Sequence, residues 1–149
     1  MIGTACGCHV TCGRTQAGAV YCWGDNVSGQ LGDGTTTQRL VPTPVTGGIA
    51  FVEIRAGNGG ACGLTQAGAA YCWGDDTYGE VGDGNGILSI LVPTLVSGGI
   101  VFVEVRVGET HACGRTQTGA VYCWGDNNNG QLGDGTTTQR LVPTLVQTP

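Results

Sequence analysis

One fifteen-residue stretch is written three times, and it restricts the fold more than anything else in the chain. Ala61-Cys62-Gly63-Leu64-Thr65-Gln66-Ala67-Gly68-Ala69-Ala70-Tyr71-Cys72-Trp73-Gly74-Asp75 recurs from Thr11 and again from Ala112, so that Cys12, Cys62 and Cys113 stand 50 and then 51 positions apart. Each copy holds two cysteines ten positions apart with Gln-Ala-Gly or Gln-Thr-Gly midway. Pairing outward from that turn sets Leu64 opposite Ala70, Gly63 opposite Tyr71 and Cys62 opposite Cys72. A three-residue hairpin loop ends on a left-handed residue, and Gly18, Gly68 and Gly119 supply it without steric cost. Counted from the turn, the cysteines fall at a non-hydrogen-bonded pair, where Cα atoms approach to about 4.5 Å, within disulfide range. The pattern predicts three cross-strand disulfides: Cys12 with Cys22, Cys62 with Cys72, and Cys113 with Cys123.

Eight cysteines in 149 residues, six of them in repeated pairs, suit an oxidising place, extracellular or on a cell surface. Reduced, buried thiols are the alternative. Zinc is a weaker one, because zinc ligand pairs stand about two to four residues apart. On the chain-entropy model each eleven-residue ring contributes roughly 2.5 to 3 kcal/mol.

The net charge of -5 and six basic residues, all Arg, exclude a sequence-independent grip on nucleic acid, which needs a basic face. Twenty-nine glycines without collagen spacing mark many tight turns between short strands. No apolar run approaches the ~18 residues of a membrane span, so no membrane insertion is expected. Met1 to Ala5 does not read as a signal peptide; an exported chain is expected to have lost its signal.

The repeats run 1–49, 50–100 and 101–149, with no linker between them, as one repeat domain. Each opens on a strand: Phe51 to Gly57 and Phe102 to Gly108 alternate with period two, setting Val52, Ile54 and Ala56 on one face and Phe51, Glu53 and Arg55 on the other. Glu53 with Arg55, and Glu104 with Arg106, read as structural ion pairs or channel-lining groups. The first repeat lacks these residues and carries Cys6 and Cys8 instead. Two apart on a strand, these two point the same way and sit too far apart to bond without distortion. They are expected to be free thiols or to bridge to another chain; a metal site of Cys6, Cys8 and His9 would need a fourth ligand.

After the hairpin each repeat carries Trp-Gly-Asp-Asn/Asp-x-x-Gly-Gln/Glu-Leu/Val-Gly-Asp-Gly, at 23–34, 73–84 and 124–135. Trp23, Trp73 and Trp124 are expected to pack between sheets, with glycines allowing close backbone approach. The aspartates lack the spacing of a calcium loop and read as turn formers, so no metal is assigned. Each repeat closes on a Val-Pro-Thr strand, and its proline confines that strand to a sheet edge. Four short antiparallel strands and a period near fifty describe an all-β fold of β-propeller blades.

His111 to Thr116, the turn glycine, Val121 to Gly125 and Gly130 to Gly133 resemble the regulator of chromosome condensation repeat, and the resemblance spans essentially all of the chain. The paired cysteines resemble those of bacterial secreted or surface versions. Propellers of that family usually have about seven blades, and a closed ring needs about four to eight. The resemblance implies guanine-nucleotide exchange only as a remote alternative, since fold alone does not carry function and nothing in this sequence matches a basic chromatin-binding tail.

Three blades leave two apolar flanks. The remedy is a second copy, closing a ring or extending a filament, unless the chain is a fragment of a larger propeller. From Cys12 to Thr46 and from Cys113 to Gln147, thirty of thirty-five positions are identical, so end blades can serve as neighbours. The second repeat differs, with Ile87, Leu88 and Ile90 in a loop one residue longer; these read as a contact patch or as packing inside the blade. No catalytic residues emerge: His9 and His111 are not equivalent, no Ser-His-Asp set exists, and a chain without Lys has no phosphate loop. The expectation is a non-enzymatic, self-assembling structural protein without cofactors. The alternative is a module whose loops bind another protein or a glycan.

Overall fold

The computed structural model describes residues 1–7 and 9–147. Period-two alternation and glycine turns yield twelve strands among them, in three antiparallel sheets of four. Blade 1 is β1 (Gly3–Cys6), β2 (Val10–Arg14), β3 (Val20–Gly24) and β4 (Arg39–Pro44). Blade 2 is β5 (Phe51–Ala56), β6 (Gly60–Thr65), β7 (Ala70–Asp75) and β8 (Ser89–Leu95). Blade 3 is β9 (Phe102–Val107), β10 (His111–Thr116), β11 (Val121–Gly125) and β12 (Arg140–Leu145).

The hairpins keep the register that their turns dictate: Cys62 faces Cys72, Gly63 faces Tyr71 and Leu64 faces Ala70. Gly68 closes the turn at φ 82°, a conformation costly for any residue with a Cβ. Disulfides join Cys12 to Cys22, Cys62 to Cys72 and Cys113 to Cys123, each across a Cα separation of 4.1 Å. The proline strands β4, β8 and β12 lie at sheet edges, where a missing N–H leaves no ladder bond unmade.

On β5 the register shifts between Phe51 and Glu53. This corrects the strict alternation expected there: Phe51 and Ile54 are both buried, at 2% and 4% exposure, while Val52 is exposed. The bulge turns Val52 outward and lets two large side chains three apart enter the same core.

That core lies between the blades. Cys12, Val20, Cys22 and Leu31 of blade 1 pack against Phe51, Ile54, Ala61 and Trp73 of blade 2. Leu64, Ala70 and Val81 of blade 2 pack likewise against Phe102, Val105, Ala112 and Trp124 of blade 3. Phe51 also tilts against Trp73, and Phe102 against Trp124, at centroid distances of 6.0 and 5.9 Å. With about 1.5–3 kcal/mol for each large apolar side chain buried, blade-to-blade contact is the main source of stability.

Candidate functional site: two open blade faces

Both internal junctions use the same groups. At the first, Leu91 of β8 lies so close over Gly29 that a Cβ there would overlap it, and its carbonyl accepts the Gly34 N–H at 3.0 Å. The Trp73 indole slides against Gly32, where a Cβ would stand 2.7 Å from Nε1. That Nε1 donates to the Gln30 carbonyl at 3.1 Å, satisfying the one polar atom of a buried ring. Near the hairpin turn, the Phe51 N–H donates to the Gly18 carbonyl at 3.0 Å.

The second junction repeats this set. Leu141 covers Gly79 and its carbonyl accepts from Gly84 at 3.0 Å. Trp124 Nε1 donates to the Glu80 carbonyl at 2.8 Å, and Phe102 N–H donates to the Gly68 carbonyl at 2.9 Å. At these junctions blades 2 and 3 each supply a projecting face, with leucine, tryptophan and an aromatic strand start, and blades 1 and 2 each supply a receiving face lined by glycine.

The end blades carry the unmatched halves. On blade 1, Leu40 is 84% exposed, Trp23 is only half-buried, and Met1 covers Gly13 as Phe51 and Phe102 cover Gly63 and Gly114. On blade 3, Gly119 and Gly133 are exposed and Gly130 half-buried, although Gly18, Gly68, Gly32, Gly82, Gly29 and Gly79 are all buried. Val121 is half-buried, whereas Val20 and Ala70, its equivalents at the junctions, are 4% and 2% exposed. Trp73 and Trp124 thus sit between sheets, whereas Trp23 is half-buried, with no other described sheet on its side of blade 1.

The remaining candidates fall elsewhere. Ile87 and Leu88 are exposed; Ile90 is half-buried and pairs with Gly74. Cys6 is exposed and unbonded; Cys8 lies outside the described residues. Cys6, Ala56 and Val107 border an open hollow of about 510 Å³. On the inner strands Glu53 pairs with Arg55 at 3.0 Å and Glu104 pairs with both Arg106 and Arg115. The hydrogen bond from Arg115, with the charge of Arg106, holds the Glu104 carboxyl below its usual range. Among the described residues no three His, Cys, Asp or Glu side chains converge as a metal site would require.

Sequence reasoning missed the seat that Gly29 and Gly79 offer to Leu91 and Leu141. Its signal was available: a leucine recurs at 40, 91 and 141, and a glycine at 29, 79 and 130.

Comparison with known proteins agrees with this geometry. The model of the regulator of chromosome condensation (RCC1) repeat matches residues 17–64, 67–114 and 118–149. The first two matches each straddle two sheets, so the sequence unit and the blade are out of phase. The chain is 37% identical over 153 aligned residues to the human E3 ubiquitin-protein ligase HERC2, covering 99% of this chain and 3% of that protein. Among solved structures, human WBSCR16 superposes with a TM-score of 0.88 at 23% identity, covering 98% of this chain and 37% of the other. Yeast RCC1 (Prp20), solved bound to Kap60, gives 0.86 at 23% identity, with the same coverage. The chain thus spans a small part of HERC2 and little more than a third of either structure. On the family matches and the three four-stranded blades together, this chain belongs to the RCC1 repeat family of β-propellers.

Proposed function

We propose that this chain is a non-enzymatic, protein-binding propeller segment that associates with copies of itself through its two open blade faces, in an oxidising, extracellular setting. The carrying observation is Leu40, at 84% exposure, set against Leu91 and Leu141, which are packed into glycine seats. A leucine with a tryptophan beside it on an open sheet is an interaction surface. Blade 3 matches blade 1 at thirty of thirty-five positions, so its receiving face has the residues that already hold a following blade. The three disulfides support the compartment. Light scattering on the non-reduced protein tests the reading. A mass at or above twice 15.1 kDa is expected, and dissociation on reduction would add an inter-chain role for Cys6 or Cys8. A monomer at every concentration overturns it.

A second reading, recognition of another protein through the loops, is favoured by one feature. The blade 2 loop, with Ile87 and Leu88 exposed, is unlike the Gly-Thr-Thr-Thr loops of blades 1 and 3. Yeast RCC1 (Prp20) is itself a propeller solved with a protein partner.

A further inference from the structure

Resting on the reading that the open faces bind copies, we infer that the contact is head-to-tail: the projecting face of blade 1 enters the receiving face of blade 3 of another copy. Leu40 takes the seat at Gly130, as Leu91 takes that at Gly29 and Leu141 that at Gly79. Trp23 lies against Gly133 and donates its indole N–H to the Gln131 carbonyl, as Trp73 does to Gln30 and Trp124 to Glu80. The Leu40 carbonyl accepts from Gly135 N–H, repeating the bonds of Gly34 to Leu91 and Gly84 to Leu141.

Like faces do not fit one another. Two blade 1 faces would oppose Leu40 to Leu40 and Trp23 to Trp23, each without a recess and with the indole N–H unpaired. Two blade 3 faces would oppose glycine-lined hollows and leave both sets of N–H and C=O groups desolvated without partners. The receiving face also keeps its residue types: Gly130, Leu132, Gly133 and Gly135 stand where blade 1 has Gly29, Leu31, Gly32 and Gly34. The projecting face of blade 1 departs from its equivalents at three core positions, with Met1 for phenylalanine, Thr4 for Ile54 and Val105, and Thr11 for Ala61 and Ala112. Methionine adapts to irregular apolar seats, and Leu40 and Trp23 keep the anchoring residue types. Because the contact is heterologous, it closes into a ring if the rotation permits and otherwise grows as a filament.

Two variants separate this polarity from its alternatives. Leu40→Asp spoils the projecting face, and Val121→Glu puts a charge at the half-buried centre of the receiving one; neither position has a backbone that strains a side chain. Each substitution is expected to weaken association about 100-fold or more, as loss of an interface anchor does. Alone, each variant should be a monomer by light scattering; mixed in equal amounts, they should form a dimer and nothing larger, through the one intact pair of faces. Milder Leu40→Ser and Val121→Thr variants, with circular dichroism, exclude misfolding as the cause. Dimers of Val121→Glu alone, joined head-to-head, or of Leu40→Asp alone, joined tail-to-tail, would overturn the polarity while leaving self-association intact. A monomeric wild type would overturn the association itself.

Discussion

Blades 1 and 3 tie the turn after their tryptophan with amide and guanidinium donors, and blade 2 makes the same turn with carboxylates. In blade 1, buried Asn26 donates from Nδ2 to Asp33 Oδ1 at 3.2 Å and to the Thr35 and Thr37 carbonyls, both at 3.0 Å. Its Oδ1 accepts the Leu31 N–H at 3.0 Å, and Arg39 closes on Asp33 at 2.7 Å. Asn127, Asp134, Thr136 and Arg140 repeat this in blade 3. Blade 2 has Asp76 for the asparagine, Glu80 for the glutamine and Ile90 for the arginine. Asp76 Oδ1 still accepts the Val81 N–H at 2.9 Å, but Oδ2 is buried and has no partner. Where Gln131 donates to Asp126 at 2.9 Å, Glu80 now stands near the charge of Asp75. The fold of the turn thus depends on the acceptor at this position; the donors set its charge and the path of the loop beyond.

The largest effect expected from that difference is at the buried amide. Asn127→Ala removes the donor to Asp134 and to two backbone carbonyls as well as the acceptor for the Leu132 N–H. It leaves several buried groups unsatisfied and should cost about 3 kcal/mol in urea unfolding. Asp76→Ala, which loses one bond and relieves one unpartnered carboxylate oxygen, should cost less than half as much. Equal losses would show that the two turns are energetically the same.

The second test restores the donor. Asp76→Asn gives blade 2 the residue of its neighbours and should stabilise the protein at pH 7 by about 1 kcal/mol. Burial raises the Asp76 pKa, with the charges of Asp83 and Asp75 adding to it. Burial likewise carries Glu80 up to about 7, helped by Asp75 and Asp76. Both groups hold protons more tightly in the native state, so their contribution is fully present below the ordinary carboxyl range. It is lost as pH rises, for Glu80 between 4.5 and about 7. The gain from Asp76→Asn should therefore shrink as pH falls, which chemical unfolding at a series of pH values would reveal. Asp134 works in the opposite sense: its hydrogen bond from Thr136, together with Arg140, holds it at about 2 against the opposition of burial. Its stabilising share is present above 3.8 and lost as pH falls through about 2. A gain from Asp76→Asn that is constant across pH would mean that Asp76 is not strained by its charge.

These contrasts also mark where sequence reading succeeds. The hairpin register and disulfide pairs were legible because both partners lie within one turn, where counting outward from Gly68 fixes every opposite residue. The edge strands were legible because Pro42, Pro93 and Pro143 lack an N–H. Phe51 and Ile54 were set on opposite faces because a bulge inserts a residue without altering the apolar pattern. The leucine seats involve residues far apart in sequence. Leu91 meets Gly29 only after two blades have packed. The substitutions Asp76 and Glu80 were visible in the repeat, but their burial, which makes them matter, is a property of the folded turn.

The smallest expected effect concerns the loop that the acidic turn feeds. In blades 1 and 3 the third threonine of the loop, Thr37 or Thr138, offers its carbonyl to the asparagine amide. In blade 2 the Asp76 N–H instead donates to the Leu88 carbonyl at 3.1 Å, and the longer loop leaves Ile87 and Leu88 at 55% and 72% exposure. Neither side chain supports the core, so Ile87→Ser with Leu88→Ser should change unfolding free energy by no more than about 0.5 kcal/mol. Gly86 abuts Leu141, which ties the loop's base to the second junction while its apolar tip faces outward. Wild-type stability with weaker association would make the tip an additional contact between copies. Wild-type stability with unchanged association would leave that tip to another protein, and a large loss of stability would mean that it packs inside the blade.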